Sequence, residues 1–268
     1  MELIKSQFDV GLTPSDPEAS VAYYRDVLGF RQLPSAQMGE GLTQHRFVLG
    51  GHLLKLNAYA DPPERRPGGV ERAIGMRLLA FVIDDYEDML ARLDTHGRRH
   101  TALKVGPSTP YRVSLTKDPD GTVLELVGLV KPGGKALRTR VQVGMTVADA
   151  QRARRFWGET LGLQEETPME LGGTMGTRYG FHWGESTLKF WQISADLPAQ
   201  TGDPRKHAGL RTCTMLVKDL AAARQFLLDR GVPIVQGPTE IPGVCSLLFF
   251  SDPDDNWFEL VELYPTDR

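Results

Sequence analysis

The sequence predicts an α+β fold of four βαβββ units arranged as two tandem copies. Three observations predict it. The first is internal repetition: the chain aligns with itself at an offset of about 133 residues. FDVGLTPSDPEASVAYYRDVLGF from Phe8 matches VQVGMTVADAQRARRFWGETLGL from Val141, and HLLKLNAY from His52 matches STLKFWQI from Ser186. LLAFVIDDYEDMLARLDTHG from Leu78 matches TCTMLVKDLAAARQFLLDRG from Thr212. The second observation is that a turn followed by an apolar strand closes each copy, KDPDGTVLELVGL (Lys117 to Leu129) and SDPDDNWFELVEL (Ser251 to Leu263). Proline at the second turn position with Asp or Gly behind it is turn chemistry. The third is that each copy is itself two-fold, with two rounds of strand, capped helix and further strands.

Each element has a local reason. Val10 to Leu12 reads as a strand; Ser15 or Asp16 can cap the helix that follows, Pro17 suits its first turn, and Gly29 ends it. Strand-like runs follow at His45 to Leu49 and His52 to Tyr59. The second unit opens with a strand at Leu78 to Ile83, a cap at Asp84 or Asp85, and a helix through Met89, Leu90 and Leu93 to Gly97. It ends with strands around Tyr111 to Leu115 and Thr122 to Leu129. The boundaries this implies are a first domain over 1–129, a Pro/Gly/Lys-rich linker over 130–138, and a second domain over 139–268.

Composition narrows the function classes. A net charge of −3 with both signs interspersed gives no electrostatic footprint for nucleic acid. No apolar run approaches the ~20 residues of a membrane span, and MELIKSQFDVGL lacks the basic-then-apolar pattern of a signal peptide. A cytoplasmic protein acting on a small-molecule ligand is the expectation, and a second copy of the chain is a candidate partner. Cys213 and Cys245 lie in apparent strands without CxxC spacing, which reads as buried free thiols.

The words VGLTPSD…YYRDVLGF, FVIDDYED and DPDGTVLEL, with their second-copy counterparts VGMTVAD…FWGETLGL, MLVKDL and DPDDNWFEL, resemble the vicinal oxygen chelate superfamily. Its members include glyoxalase I, extradiol dioxygenases, methylmalonyl-CoA epimerase, and fosfomycin- and bleomycin-resistance proteins. The resemblance covers Phe8 to Leu263 and is specific for fold rather than reaction, because this fold carries many chemistries. It implies that paired units form cupped mixed sheets whose concave face holds substrate and usually a divalent metal (Mg, Mn, Fe, Ni or Zn), with a metal-free site equally open.

Matched to the family pattern, the first strand of each copy offers Asp9 or Gln142 where family members often have His. The third strand places Lys55 or Lys189 where some members have a carboxylate or Gln. The opening strand of the second unit places Leu78 or Thr212, or Arg77 and Arg211 after a one-residue slip, where His is common. The last strand supplies Glu125 or Glu259. The resemblance therefore implies Asp9, Glu125, Gln142 and Glu259 as metal positions. Period-two alternation supports the facing: Phe8, Val10 and Leu12 oppose Asp9, Gly11 and Thr13, and Leu124 and Leu126 oppose Glu125. The expected pairings are Asp9 with Glu125 in the first cup, and Gln142 with Glu259 in the second.

Neither copy supplies the two His that an iron-dependent ring-cleaving site needs, which disfavours the dioxygenase reading. A lysine in the cup would repel a cation and suit an anionic substrate or a salt bridge to the glutamate. His182, in YGFHWGE, is either a general base or unorthodox metal ligand, or a histidine satisfied at a strand surface. Trp191 and Trp257 belong to an aromatic set that either lines a pocket or fills the core. The leading expectation is glyoxalase-like lyase or isomerase chemistry, with Glu125 or Glu259 as metal ligand or base. In that scheme Lys55 or Lys189 contacts substrate, as do Trp191, Trp257 and Thr212. The alternative is a metal-free binding protein of the bleomycin-resistance kind.

Overall fold

A computed structural model of the chain describes residues 1–39, 41–65, 68–104, 111–129 and 140–264; the expected linker, 130–138, lies outside them. The first unit holds β1 (Asp9–Thr13), α1 (Pro17–Ala22), β2 (Arg31–Gln37), β3 (Leu42–Leu49) and β4 (His52–Tyr59). The second holds β5 (Gly75–Ile83), α2 (Tyr86–Thr95), β6 (Thr101–Leu103), β7 (Tyr111–Lys117) and β8 (Val123–Leu129). In the third are β9 (Val141–Thr146), α3 (Ala150–Arg155), β10 (Gln164–Glu165), β11 (Met169–Glu170), β12 (Thr177–Trp183) and β13 (Ser186–Trp191). The fourth is β14 (Gly209–Leu216), α4 (Leu220–Leu228), β15 (Ile234–Ile241), β16 (Cys245–Ser251) and β17 (Trp257–Leu263).

At α1 the cap follows the sequence reasoning, whereas Asp85, at the N-cap position of α2, makes no side-chain cap hydrogen bond and accepts from Arg92 instead. Asp16 accepts from the Ala19 N–H, with Pro17 at the start of α1, and Asp149 caps α3 in the same way. One feature had no sequence signal: α1 and α3 each widen into a π-turn, over Tyr23–Val27 and Phe156–Thr160. Gly29 and Gly162 then leave the helix at positive φ. Among the described residues no helix is long and apolar enough to cross a membrane.

The sheets are built across the two copies. One runs β15-β16-β17-β14-β1-β4-β3-β2 and joins the first unit to the fourth. The other runs β10-β12-β13-β9-β5-β8-β7-β6 and joins the second unit to the third, with β11 pairing β12. The junctions are the antiparallel pairs β1·β14 and β5·β9. Each has a bulge, and the bulged residues are Arg211 and Arg77. Both arginines are buried; Arg77 donates to the Ala73 carbonyl and Gln200 Oε1, and Arg211 to the Gln200 and Gly202 carbonyls. Burial lowers both to about 10. The one-residue slip that would carry them into a cup does not occur: Leu78 and Thr212 hold the register.

Within each copy the two units pack back to back instead. Phe30 meets Phe81 edge-on at 5.4 Å, and Trp157 meets Phe258 at 4.8 Å. Phe181, Trp183, Phe190 and Phe250 are buried in this core, so most of the second copy's aromatic set is packing. Cys213 and Cys245 are buried and free, and burial pushes both thiols up.

The closing turns brace the units. Asp118 accepts the Thr122 N–H at 2.8 Å and the Tyr24 hydroxyl at 2.9 Å, while Asp120 takes the Ser15 N–H and hydroxyl. The second copy repeats the device: Asp252 holds the Asn256 N–H and side-chain amide, and Asp254 accepts from the Ala148 N–H. Burial pushes the Asp118 and Asp252 carboxyls up from 3.8 to about 7, the neighbouring Asp120 and Asp254 adding to it. A raised carboxyl favours the fold while protonated. Its contribution is complete below pH ~4 and is lost as pH rises through 7, which costs about 4 kcal/mol at Asp118 by pH 8. Asp118→Asn keeps an acceptor for Thr122 without the charge. Melting curves should show the variant gaining clearly more stability over wild type at pH 8 than at pH 5; a gain of equal size, or an equal loss, at both would contradict this.

Candidate functional site

The second sheet carries a cleft of about 1440 Å³ on its concave face, larger than the ~300–1000 Å³ of an ordinary ligand pocket and correspondingly open. Its floor follows from the strand register. Glu125 on β8, Ala80 on β5, Gln142 on β9 and Thr187 on β13 are successive cross-strand partners, so their side chains share one face. The next row on that face is Val123, Leu78, Gly144 and Lys189.

The lysine and the glutamate meet: Lys189 Nζ donates to Glu125 Oε2 at 2.7 Å, with side chains 6% and 20% exposed. Gln142 lines the same cleft. Trp191 comes next after Lys189 on this face of β13, and its ring crosses Gly144, where a Cβ would stand 2.7 Å from the indole and 3.0 Å from Leu78. A glycine is therefore required there for Trp191 to reach the floor. At the edge, Glu166 takes Arg178 at 2.9 Å and lies over Gly180.

The first sheet repeats the design with different residues. Lys55 Nζ lies 3.1 Å from Glu259 Oε2 and 2.6 Å from Thr214 Oγ1. Asp9, opposite Thr214, is tied to Lys5 at 2.5 Å and to the Leu53 N–H at 2.7 Å. Thr212 fills the space over Gly11, and Trp257 packs on Phe249 at 5.6 Å while its Nε1 donates to Asp255.

These positions correct the expected pairings. Asp9 shares a sheet with Glu259, not with Glu125, and Gln142 shares one with Glu125, not with Glu259. The physical reason is the crossed edge pairing, which gives each cup one unit from each copy. Lys55, Thr212 and Trp257 likewise stand in the first cup, and Lys189 and Trp191 in the second. His182 pairs with Thr187 at the sheet edge, its side chain 42% exposed and its Nε2 3.7 Å from Glu166 Oε1. It touches neither glutamate of the sequence-predicted site and is absent from the cleft lining. Sequence reasoning missed Arg178, Arg140 and the apolar wall from β7; the alternation Tyr111, Val113, Leu115 in YRVSLTK carried that wall's signal.

A divalent ion does not fit these residues. Among the described residues Glu125 is the one carboxylate beside Gln142, and the Lys189 ammonium stands where a cation would sit; Lys55 does the same to Glu259. Among the described residues no group of three His, Cys, Asp or Glu side chains could hold a metal. What the arrangement offers is a hydrogen-bonded ammonium–carboxylate pair on an apolar floor. Such a pair can bind a polar oxygen or move a proton.

The chain is 34% identical over 126 residues to the uncharacterized protein YaeR of Escherichia coli (strain K12), covering 46% of this chain and 95% of that one. It is 32% identical over 128 residues to the uncharacterized protein YwkD of Bacillus subtilis (strain 168), covering 46% and 97%. Its fold is similar to the crystal structure of glyoxalase I from Zea mays, with a TM-score of 0.71 at 17% identity over 97% of this chain and 92% of that one. The sequence profile of the Glyoxalase/Bleomycin resistance protein/Dioxygenase superfamily matches residues 8–126 and 139–260, and the chain belongs to that superfamily.

Proposed function

We propose that the protein holds a small organic molecule in the second cup without a metal ion, its polar oxygen on Lys189 and its apolar body over β5, β7 and β8. One observation carries this: the Lys189–Glu125 pair, 2.7 Å apart, sits in the floor of a wide cleft walled by Leu78, Val113, Val123 and Val127. An ammonium in that place supplies the positive charge that a metal ion would otherwise bring to a ligand oxygen. The reading is a binding protein of the bleomycin-resistance kind.

The same pair favours a second reading that adds chemistry. Glu125 would take a proton from the carbon beside a bound carbonyl, the electron pair moving onto the oxygen that Lys189 holds. If the carbon that loses its proton bears a hydroxyl, the hydroxyl proton passes to the oxygen that Lys189 holds, and return of the abstracted proton from Glu125 to the former carbonyl carbon completes an isomerisation.

Trp191 reports on the cleft, so fluorescence titration with aromatic carbonyl compounds measures occupancy. Lys189→Met should weaken binding about tenfold or more and, by stranding Glu125, cost roughly 3 kcal/mol of stability. The double variant Lys189→Met/Glu125→Leu should recover most of that stability but not the binding. Undiminished affinity in the folded double variant would remove the proposal. Turnover separates the two readings: with a ligand that is converted, Glu125→Gln should bind it within about threefold of wild type and convert it at least 100-fold more slowly. Purified protein should contain no stoichiometric divalent metal, and chelator treatment should leave ligand affinity unchanged; a bound equivalent of metal whose removal abolishes binding would overturn the metal-free assignment.

A further inference from the structure

The charge of the cleft is opposite to that of the chain. The whole sequence carries −3, yet the cleft is lined by Arg98, Arg99, Lys117, Arg140, Arg178 and Lys189 against only Glu71, Asp118 and Glu125. Two of the cations are neutralised, Lys189 by Glu125 and Arg178 by Glu166. Arg98 lies over the Tyr23 ring at 5.2 Å. Arg99, Lys117 and Arg140 have no acidic partner among the described residues. Of the three lining acids, Glu125 is spent on Lys189, and burial pushes the Asp118 carboxyl up to about 7, which weakens its negative charge near neutrality.

Arg140 has the most useful position. Its carbonyl accepts the Val82 N–H, so it extends the β9 row that contains Gln142, roughly 7 Å further along the strand. Val82, Val127 and Val113 complete that row as cross-strand partners, and all three line the cleft. An exposed guanidinium with no acidic partner among the described residues therefore borders a strip of valines. A guanidinium binds a carboxylate or phosphate by two parallel hydrogen bonds. A neutral ligand filling the cleft would take water from these cations and return no charge, which is a penalty against it.

We infer that the ligand class is a lipophilic anion, its apolar body on the valine strip and its negative group on Arg140. This rests on the second cup being the ligand site, and the test keeps the two apart.

The probes are 2-naphthoate and the nearly isosteric neutral 2-naphthalenemethanol, titrated into wild type and Arg140→Gln, with Trp191 fluorescence as the readout. Arg140 is exposed, so the variant should fold as wild type does; its melting temperature checks this. Wild type should bind the carboxylate about tenfold more tightly than the alcohol. In Arg140→Gln that preference should fall to about twofold through loss of carboxylate affinity alone, and Arg140→Lys should keep only part of it. Equal affinity for both probes in wild type would overturn the anion inference while leaving the cleft as a binding site. A preference that survives Arg140→Gln would remove Arg140 from it. Binding of neither probe would overturn the cleft reading and the inference with it.

Discussion

Two edge pairings decide what this molecule can do. The opening strand of each unit presents an unpaired edge, and unpaired edge groups must be satisfied by another strand, by cover or by water. Here β1 is satisfied by β14 and β5 by β9, so the partner of each opening strand lies in the other sequence copy. Everything on the concave faces follows from that choice. It brings Lys189 to Glu125 and Lys55 to Glu259, and it separates Asp9 from Glu125.

The crossed pairing also gives the two cups a shared grammar with different content. Each places a lysine from the last strand of one unit on a glutamate from the last strand of another. Around that pair the residues diverge. Thr214 and the Lys5-bound Asp9 surround the first pair, so that Glu259 and Asp9 have their hydrogen bonds met from within the sheet and its N-terminal segment. Ala80 and Gln142 replace them in the second, and the Lys189–Glu125 pair opens onto the apolar cleft. A salt bridge so placed is a poor source of stability, because desolvation offsets the Coulomb gain. Its retention beside a wide cleft fits a role in recognition.

The repeated Asp-Pro-Asp turns serve a different purpose. Their first aspartates are closed into hydrogen bonds with their own turn, and Asp118 also with Tyr24; their second aspartates reach back to the loop before the first helix of their copy, Asp120 to Ser15 and Asp254 to Ala148. The turn thereby fixes the end of the glutamate-bearing strand against the helix layer of its own copy, while the glutamate reaches into a sheet shared with the other. Packing within a copy and pairing between copies are thus coupled at one short segment.

Much of the architecture was legible in the residues. The 133-residue repeat, the cap at Asp16, the glycine exit at Gly29 and the period-two facing of Asp9 and Glu125 are local or self-similar signals, and local chemistry sets them. The π-turns, the short strands β10 and β11, and the bulges holding Arg77 and Arg211 had no such signal, because they depend on how neighbouring elements crowd. Sequence alone determined the four units, their faces and the presence of one lysine and one glutamate for each cup. Only the tertiary structure decided which lysine meets which glutamate and that His182 stands apart. A strand's alternation specifies its faces, whereas the identity of the strand at its edge is settled by long-range packing that no local pattern records.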